Sequence, residues 1–261
     1  WKILANPELR LAEAYMDGFL VVEEGTIGDL VNLFYVNKRR FDMSANQIAV
    51  NGILRRLKRF QQHNPVARSR ANAEAHYNIG NDLYRLFLDD DMQYSCAYFP
   101  TGEETLEEAQ LLKKRLIASK LALKPGQRVL DIGCGWGGLA LYLASVADVE
   151  VVGVSLASEQ VDLARERAAR AGLGDRVRFE LKDYREVTER FDRVVSVGML
   201  EHVGARHLQD YFLNVRDRLE EGGVALIHSI VTRSPPGITG PFIRKYIFPG
   251  GYSPAISEVF G

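Results

Sequence analysis

Four glycines stand close together in the middle of the chain, after a short apolar run that contains one carboxylate. They are Gly133, Gly135, Gly137 and Gly138. The run is Val129 to Ile132 with Asp131 inside it, and an apolar helical pattern begins at Leu139. Glycine is needed where a backbone turns sharply, where a ligand approaches the main chain and where a helix packs closely on a strand. The pattern therefore predicts a buried strand, a tight turn that holds a ligand, and a helix.

The residues after this turn bear on which ligand it holds. The spacing fits both G-x-G-x-G and G-x-G-x-x-G, and a dinucleotide site of the dehydrogenase kind wants an acidic residue about 20 residues further on. Val154, Ser155 and Leu156 occupy that place, so NAD is disfavoured. Asp131 before the first glycine instead resembles the first motif of S-adenosylmethionine-dependent methyltransferases. A glycine-rich turn without a ligand is the alternative.

Five apolar segments alternate with helical patterns and determine where polar residues can meet. We predict strands over 128–133, 149–155, 176–181, 191–197 and 223–230, with helices over 158–171 and 206–219. Strands and helices in this alternation form a parallel, doubly wound α/β sheet. Ligands of such sheets bind beyond the carboxyl ends of the strands, near the point where strand order reverses. Functional side chains are therefore expected just after each strand.

Polar residues follow the second and third strands. Ser155 and Gln160 come after the second strand, and Asp183 with Tyr184 after the third. A carboxylate and an aromatic ring suit hydrogen bonding to an adenine and packing on its face. A core position is the alternative for Tyr184.

A carboxylate and a histidine follow the fourth and fifth strands. Glu201 and His202 come after the fourth, and His228 lies inside the apolar run VALIHSI. If these two strands are neighbours, Glu201 and His228 converge on one mouth of the sheet. A lone histidine in a strand is more often a core residue, but a carboxylate beside it near a ligand site favours a functional role.

The segment from Ala75 to Pro100 precedes the sheet and is rich in aromatic residues. It could cover the glycine turn or form an amphipathic packing helix, and composition alone does not decide between them. From Thr101 to Leu121 the pattern predicts a scaffold helix, with Thr101 and Glu104 spaced as a capping box. Pro125 and Gly126 are expected to end it.

Residues 1–63 carry helical apolar stripes, which we expect to pack on a small core of their own. One stripe contains Ile27, Leu30, Val31 and Phe34, and the other contains Ile53, Leu54, Leu57 and Phe60. Between positions 38 and 70, one acid, Asp42, stands against a group of lysines and arginines: Lys38, Arg39, Arg40, Arg55, Arg56, Lys58, Arg59, Arg68 and Arg70. Such clusters bind anionic lipid surfaces or nucleic acid, with a solvated basic face as the alternative. No nucleic-acid motif accompanies this one.

The whole composition fits one α/β domain with a smaller appendage. The chain has 261 residues and a formal net charge of −1. No run approaches the roughly 18 apolar residues of a membrane span. The two cysteines, Cys96 and Cys134, suit a reducing cytosol better than a disulfide framework. Because the sequence starts at Trp1 and stops soon after a Pro/Gly-rich loop, we interpret it as a fragment.

Several motifs together resemble the cyclopropane-fatty-acid synthase family. They are EAYMDGFL, HYNIGNDLYRLFLDDDMQYSCAYF, VLDIGCGWGGLA, GVSLASEQ, DYREV, FDRVVSVGMLEHVG, ALIHSI and KYIFPGGYSP. The resemblance implies a Rossmann-like methyltransferase fold and transfer of a methylene group from S-adenosylmethionine to the cis double bond of a phospholipid acyl chain. It also implies a peripheral cytoplasmic enzyme at the inner membrane, with an anionic phospholipid surface as partner, no nucleic acid, and a homodimer as one option.

The resemblance also assigns residues. It implies that Tyr94, Ser95, Asp131, Gly133, Gly135, Ser155, Gln160, Asp183 and Tyr184 hold the cofactor. It implies that bicarbonate lies beside Cys96, Glu201, His228 and the backbone of Ile230, with no metal. Arg244 and Lys245 would meet lipid phosphate, or lie in a solvated loop. A small buried position is the alternative for Cys96.

We divide the chain into three regions. Residues 1–65 form a helical N-terminal region, residues 66–127 a helical cover and lead-in, and residues 128–261 the S-adenosylmethionine-binding α/β domain. We expect the last sheet strands and an anion-binding tyrosine to be missing, which exposes strand five and impairs activity until that segment is restored. The alternatives are a relative that makes methylene or methyl branches, a small-molecule amine methyltransferase, and a non-catalytic lipid-binding module.

Overall fold

The computed structural model describes residues 6–42 and 80–260, with side chains for residues 6–37 and 80–260. The described helices are α1 (Pro7–Met16), α2 (Ile27–Asp42), α3 (Asn81–Arg85), α4 (Leu106–Leu121), α5 (Gly138–Val146), α6 (Ser158–Arg170), α7 (Leu200–Val203), α8 (Leu208–Asp217) and α9 (Ile256–Phe260). The strands are β1 (Arg128–Ile132), β2 (Glu150–Ser155), β3 (Val177–Leu181), β4 (Phe191–Val197) and β5 (Leu219–His228). Short 3₁₀ turns occur at Tyr184–Glu186 and Ala205–His207, and a π-helical turn at Ile243–Ile247.

The sheet is parallel and doubly wound, as the strand and helix pattern predicts. Its order is β3-β2-β1-β4-β5. The chain runs outward from β1 through β2 to β3 and then crosses to β4 on the other side of β1. Strand order therefore reverses between β1 and β4, and the ligand crevice of such a sheet opens beyond their carboxyl ends.

Alternate strand residues bury against two layers of helices. Val129, Val151 and Val195 pack with α4, α5 and α6 on one face. Leu130 and Val194 pack with α7 and α8 on the other face. Because successive strand residues point to opposite faces, near-continuous apolar runs are what a sheet covered on both sides requires.

Two predicted boundaries were wrong. Helix α4 begins at Leu106, not at Thr101, and its capping box is formed by Thr105 and Glu108. Thr101 and Glu104 do bond to each other, at 2.8 Å between Oγ1 and Oε1, but in the turn before the helix. Two consecutive T-x-x-E patterns compete here, and the cap forms at the one that directly precedes the buried residues of α4.

Strand β5 also begins earlier than residue 223. Leu219 already pairs with Phe191, after which the register shifts so that Arg193 faces Val224. The intervening residues bulge, which an edge strand tolerates because its outer side has no ladder to maintain. Within the described sheet, β5 is indeed the edge strand and pairs with β4 alone.

The predicted small N-terminal core is not found among residues 6–37. Glu13 is the buried residue of α1, and the stripe residues Ile27 and Val31 of α2 are about half exposed. The second stripe and the basic side chains between positions 38 and 70 lie outside the side chains that the structure describes. No helix in the described ranges has the length and apolar character needed to cross a membrane.

Candidate active site

The glycine turn follows β1 at the reversal point of the sheet. The N–H groups of Gly133 and Cys134 donate to the carbonyl oxygen of Val154, at 2.9 and 3.1 Å. Gly137 has φ +81°, and a Cβ placed there would lie 2.5 Å from the ring of Phe179. A side chain at Gly137 would therefore be strained in its backbone and would collide with β3. This is the close approach of helix, turn and strand that the glycine pattern predicts.

A cavity, which we call the glycine cavity, opens directly above this turn. Every residue that the sequence assigned to the cofactor lines it, and Lys113, Trp136 and His202 line it as well. The assigned residues are Tyr94, Ser95, Asp131, Gly133, Gly135, Ser155, Gln160, Asp183 and Tyr184. The structure thus brings together groups spread over 91 positions of the sequence, from Tyr94 to Tyr184.

Asp131 lies at the floor of the glycine cavity and is 2% exposed. Its Oδ2 atom has no hydrogen-bond partner in the described chain. Burial raises the pKa of this carboxyl to about 7, although the positive charge of Lys113 acts to lower it. A buried acceptor left open at a cavity floor is a position where a ligand donor can bind.

The opposite end of the cavity is more fully bonded. Ser155 donates to Gln160 Oε1 at 3.2 Å. Asp183 accepts from the backbone N–H, Nε and Nη2 of Arg185, at 3.0, 2.8 and 2.7 Å. Tyr184 lines the cavity and also packs in the core, edge-on to Tyr211. Both interpretations of Tyr184 from the sequence therefore describe its position, and burial raises its pKa to about 12.

The aromatic segment before the sheet lies over the turn, in the way a cover would. Tyr84 packs on Trp136 and Tyr94, with ring centroids 4.8 and 5.4 Å away. The Nε1 atom of Trp136 donates to Asn81 Oδ1 at 2.7 Å. Residues 75–79 of the segment lie outside the described chain. Residues 92–95 form one wall of the glycine cavity.

Helix α4 holds this wall with two side chains that sequence reasoning missed. Gln110 Nε2 donates to the carbonyl oxygens of Gln93 and Ser95, at 3.0 Å each. Lys113 Nζ donates to Gln93 Oε1 at 2.9 Å and to Ser95 Oγ at 2.7 Å. We interpreted α4 as scaffold only. The available signal was a glutamine and a lysine at i and i+3, which places them on one helix face.

A second cavity, the His228 cavity, adjoins the first and has a volume of about 840 Å³. Cys96, Glu201, His228 and Ile230 all line it, together with apolar residues such as Phe87 and Ile243. The two cavities share a wall made of Gln93, Tyr94, Ser95, Gly198 and His202. The residues assigned to the anion therefore line a cavity that shares this wall with the cavity lined by the residues assigned to the cofactor.

Glu201 and His228 converge because β4 and β5 are neighbours. Val197 is in register with His228, and Glu201 follows β4 in α7. The N–H of Ile230 donates to Glu201 Oε1 at 2.6 Å, so this backbone group already binds the carboxylate. Glu201 Oε2 and His228 Nδ1 are buried and have no partner in the described part of the chain. Burial lowers the pKa of His228, although the negative charge of Glu201 raises it. The net lowering favours a neutral ring.

The structure bears on two nearby residues for which the sequence left alternatives. Cys96 is exposed to the cavity, not a small buried residue, and both cysteines are free thiols. Lys245 is half exposed but is not free, because its Nζ bonds Glu13 Oε1 at 2.6 Å, and its contact with a lipid phosphate stays a prediction. Tyr246 donates to the same oxygen at 3.0 Å. These contacts join α1 to the segment around Ile243 and Phe248 that lines the His228 cavity.

Comparison with known proteins gives a consistent result. A family model described as mycolic acid cyclopropane synthetase matches residues 65–261. The cyclopropane-fatty-acyl-phospholipid synthase of Escherichia coli K12 is 41% identical over 261 residues, covering 99% of this chain and 65% of its own length. Cyclopropane mycolic acid synthase 1 of Mycobacterium tuberculosis is 37% identical over 202 residues, which are 72% of this chain and 70% of that protein. The chain thus spans about two thirds of these relatives.

Solved structures agree with this fold. The cyclopropane synthase MmaA2 from Mycobacterium tuberculosis superposes with a TM-score of 0.68 at 36% identity, over 73% of this chain and 72% of that one. A structure described as mycolic acid cyclopropane synthase CmaA1 complexed with SAH and CTAB has a TM-score of 0.68 at 35% identity, over 76% and 73%. Coclaurine N-methyltransferase, at 19% identity and a TM-score of 0.73, shares the fold. The sheet has the Rossmann-like methyltransferase fold, and the chain belongs to the mycolic acid cyclopropane synthetase family.

Proposed function

We propose that this chain carries the catalytic site of an S-adenosylmethionine-dependent enzyme that adds a methylene group to the cis double bond of phospholipid acyl chains, forming cyclopropane fatty acids. The single observation that carries the proposal is the shared wall of Gln93, Tyr94, Ser95, Gly198 and His202. It places a polar, glycine-lined cavity next to a larger cavity with apolar lining, Glu201 and His228. The names of the relatives support the same activity.

The glycine cavity suits S-adenosylmethionine. It offers an open carboxyl at Asp131, neutral groups at Ser155 and Gln160, and an aromatic ring at Tyr184. The relative described with SAH, the demethylated form of this cofactor, supports the assignment. When bound, the cofactor supplies an electrophilic methyl group on a sulfonium.

The His228 cavity suits a long acyl chain. Its volume of about 840 Å³ lies in the usual range of ligand pockets, and Phe87, Ile243 and Phe248 contribute apolar walls. An alkene is a weak nucleophile, so the wall residues must hold it close to and in line with the methyl group. Addition of a methyl group to the alkene would leave positive charge on the substrate chain. Glu201, at the same cavity, supplies fixed negative charge that stabilises it.

The residues present fit a small anion such as bicarbonate. Glu201 Oε2 can accept its hydroxyl proton, and His228 Nδ1 can donate to it when that nitrogen carries the proton. Cys96 faces the same cavity, whereas the Ile230 N–H is bonded to Glu201. When bound, bicarbonate supplies a base for the proton that must leave the added carbon before the ring closes.

An anionic phospholipid surface is the partner that we propose, with peripheral association at the inner membrane. Nine lysines and arginines between positions 38 and 70 of the sequence, against Asp42, support it. Each cation near an anionic membrane contributes about 1 kcal/mol. Sedimentation with anionic but not zwitterionic vesicles tests the association with membranes. Light scattering of the purified protein tests whether it forms the homodimer that the resemblance allows.

The test of the reaction is expression of the chain, completed with the carboxyl-terminal segment of its relatives, in cells that contain unsaturated phospholipids, followed by mass spectrometry and proton NMR of the acyl chains. A one-carbon gain with cyclopropyl signals supports the proposal. A one-carbon gain with vinylidene or branched-methyl signals would assign the ring-free relative instead. Unchanged lipids, with turnover on amines, would contradict a lipid substrate. Unchanged lipids with lipid binding but no turnover would assign a binding module.

A further inference from the structure

Lys113 is a buried cation that faces the glycine cavity. It is 4% exposed, and its described hydrogen-bond partners, Gln93 Oε1 and Ser95 Oγ, are both neutral. Burying an ammonium group without a hydrogen-bonded anionic partner is unfavourable, because the charge loses its hydration. The position is therefore one that the fold maintains at a cost in stability.

The other cations of this cavity are neutralised. Arg185 bonds Asp183 at 2.7 Å, and Lys182 lies 3.4 Å from Glu180. Among the lysine and arginine side chains that line the glycine cavity in the described chain, Lys113 alone forms no ion pair with a carboxylate. Its neighbour Lys114 is also buried but points away from the cavity and pairs with Asp91. Lys113 thus directs at the cavity a positive charge that forms no ion pair within the described chain.

An uncompensated acid faces the same cavity. Asp131 is buried, and its Oδ2 has no partner in the described residues. Burial lowers the pKa of Lys113 to about 8 and raises that of Asp131 to about 7. Asp89 and Asp91 attract Lys113 but do not restore its pKa to the usual range. A lysine and an aspartate that form no ion pair in the described chain line the same cavity. Their charges are complementary to the carboxylate and ammonium groups of an amino acid.

We propose that Lys113, acting with the Ser95 hydroxyl that it holds, recognises the α-carboxylate of the amino-acid part of the cofactor and so selects ligands that carry it. This inference rests on the proposed function and deepens it. Lys113 positions Ser95 in the wall between the cavities and supplies the positive charge there. Asp131 takes the amino group of the same moiety.

The test compares two ligands by calorimetry: SAH, and its decarboxylated analogue, which keeps the adenosine, the thioether and the amine. We expect the protein to bind SAH at least about tenfold more tightly than the analogue, the range typical of a hydrogen bond to a charged group. In Lys113→Met this preference should disappear because only SAH loses affinity. Lys113→Arg, which keeps the charge, should retain part of the preference.

Lys114→Met is the matched control, because it removes a buried lysine at the next position of the same helix that pairs with Asp91 and does not itself line the glycine cavity. It should lower Tm but leave the ratio of the two affinities unchanged. Equal weakening of both ligands in Lys113→Met would show a merely structural role and overturn the inference. The absence of any preference in the unmodified protein would overturn it without a variant. Failure of the unmodified protein to bind either ligand would instead contradict the proposed cofactor.

Discussion

The glycine cavity contains one run of nearly consecutive lining residues around its glycine turn, whereas no comparable run around a turn identifies the His228 cavity. That run extends from Asp131 to Leu139, and the other lining residues of the glycine cavity lie between Met92 and Pro249. The other cavity takes residues from three places: positions 87–110, positions 198–202 and positions 228–253. The comparison teaches that a site organised around a glycine turn can be recognised in sequence, while a site without such a turn needs the neighbouring strands to be known.

The largest effect should come from Glu201→Gln, which tests whether the two cavities have separable roles. The change keeps the shape of the side chain but removes its negative charge, which we place beside the developing cation. Product formation should fall by about 10² to 10⁴. SAH affinity, measured by calorimetry, should stay the same because the glycine cavity is intact. Full activity would remove Glu201 from its assigned role.

Gly137→Ala should damage the glycine cavity selectively. The added Cβ would lie 2.5 Å from Phe179 at a backbone with φ +81°, so we expect a loss of about 2 to 5 kcal/mol in the free energy of unfolding. SAH affinity should fall with it. Gly172→Ala is the control, since Gly172 has φ +66° and open space around its Cβ. It should cost only about 1 to 2 kcal/mol. An equal loss of unfolding free energy in the two variants would show that close packing at Gly137 is unimportant.

Glu13→Gln should affect the His228 cavity alone. Hydrogen bonds from Lys245 and Tyr246 lower the pKa of Glu13 to about 2, so the carboxylate is charged in the folded protein. Without that charge, the segment that carries Ile243 should be held less firmly. We expect KM for lipid vesicles to rise about two- to fivefold, with unchanged SAH affinity. Asp162→Asn, which breaks an exposed pair with Arg165, should change neither value.

The smallest effect should be a change in pH dependence from His228→Gln. Burial lowers the pKa of His228 below 6.5, so the unfolded chain takes up a proton at a higher pH than the folded protein. Stability is therefore unaffected well above pH 6.5 and falls as the pH drops through that value and the folded pKa. The variant should show a flatter dependence of Tm on pH between about pH 5 and 7. An unchanged slope would contradict a buried neutral ring.

Much of the fold followed from pattern alone. Apolar strands at regular spacing predicted the parallel sheet, and all five strands lie within a few residues of their predicted positions. Boundaries failed where two local signals compete, as at Thr101 and Thr105, or where an edge strand bulges, as between Leu219 and Val224. The N-terminal stripe around Val31 predicted burial that residues 6–37 do not show, because periodicity states which face is apolar and not what covers it.

The sequence by itself determined the glycine turn and the candidate residues after each strand, since both depend on local spacing, whereas the convergence of Glu201 and His228 also required the strand order that the structure gives. Only the tertiary structure decided that Lys113 and Gln110 support the wall between the cavities and that Glu13 reaches Lys245. These contacts join residues 15 to 232 positions apart. Local periodicity carries no information about such distances, because they are set by how helices pack across the sheet.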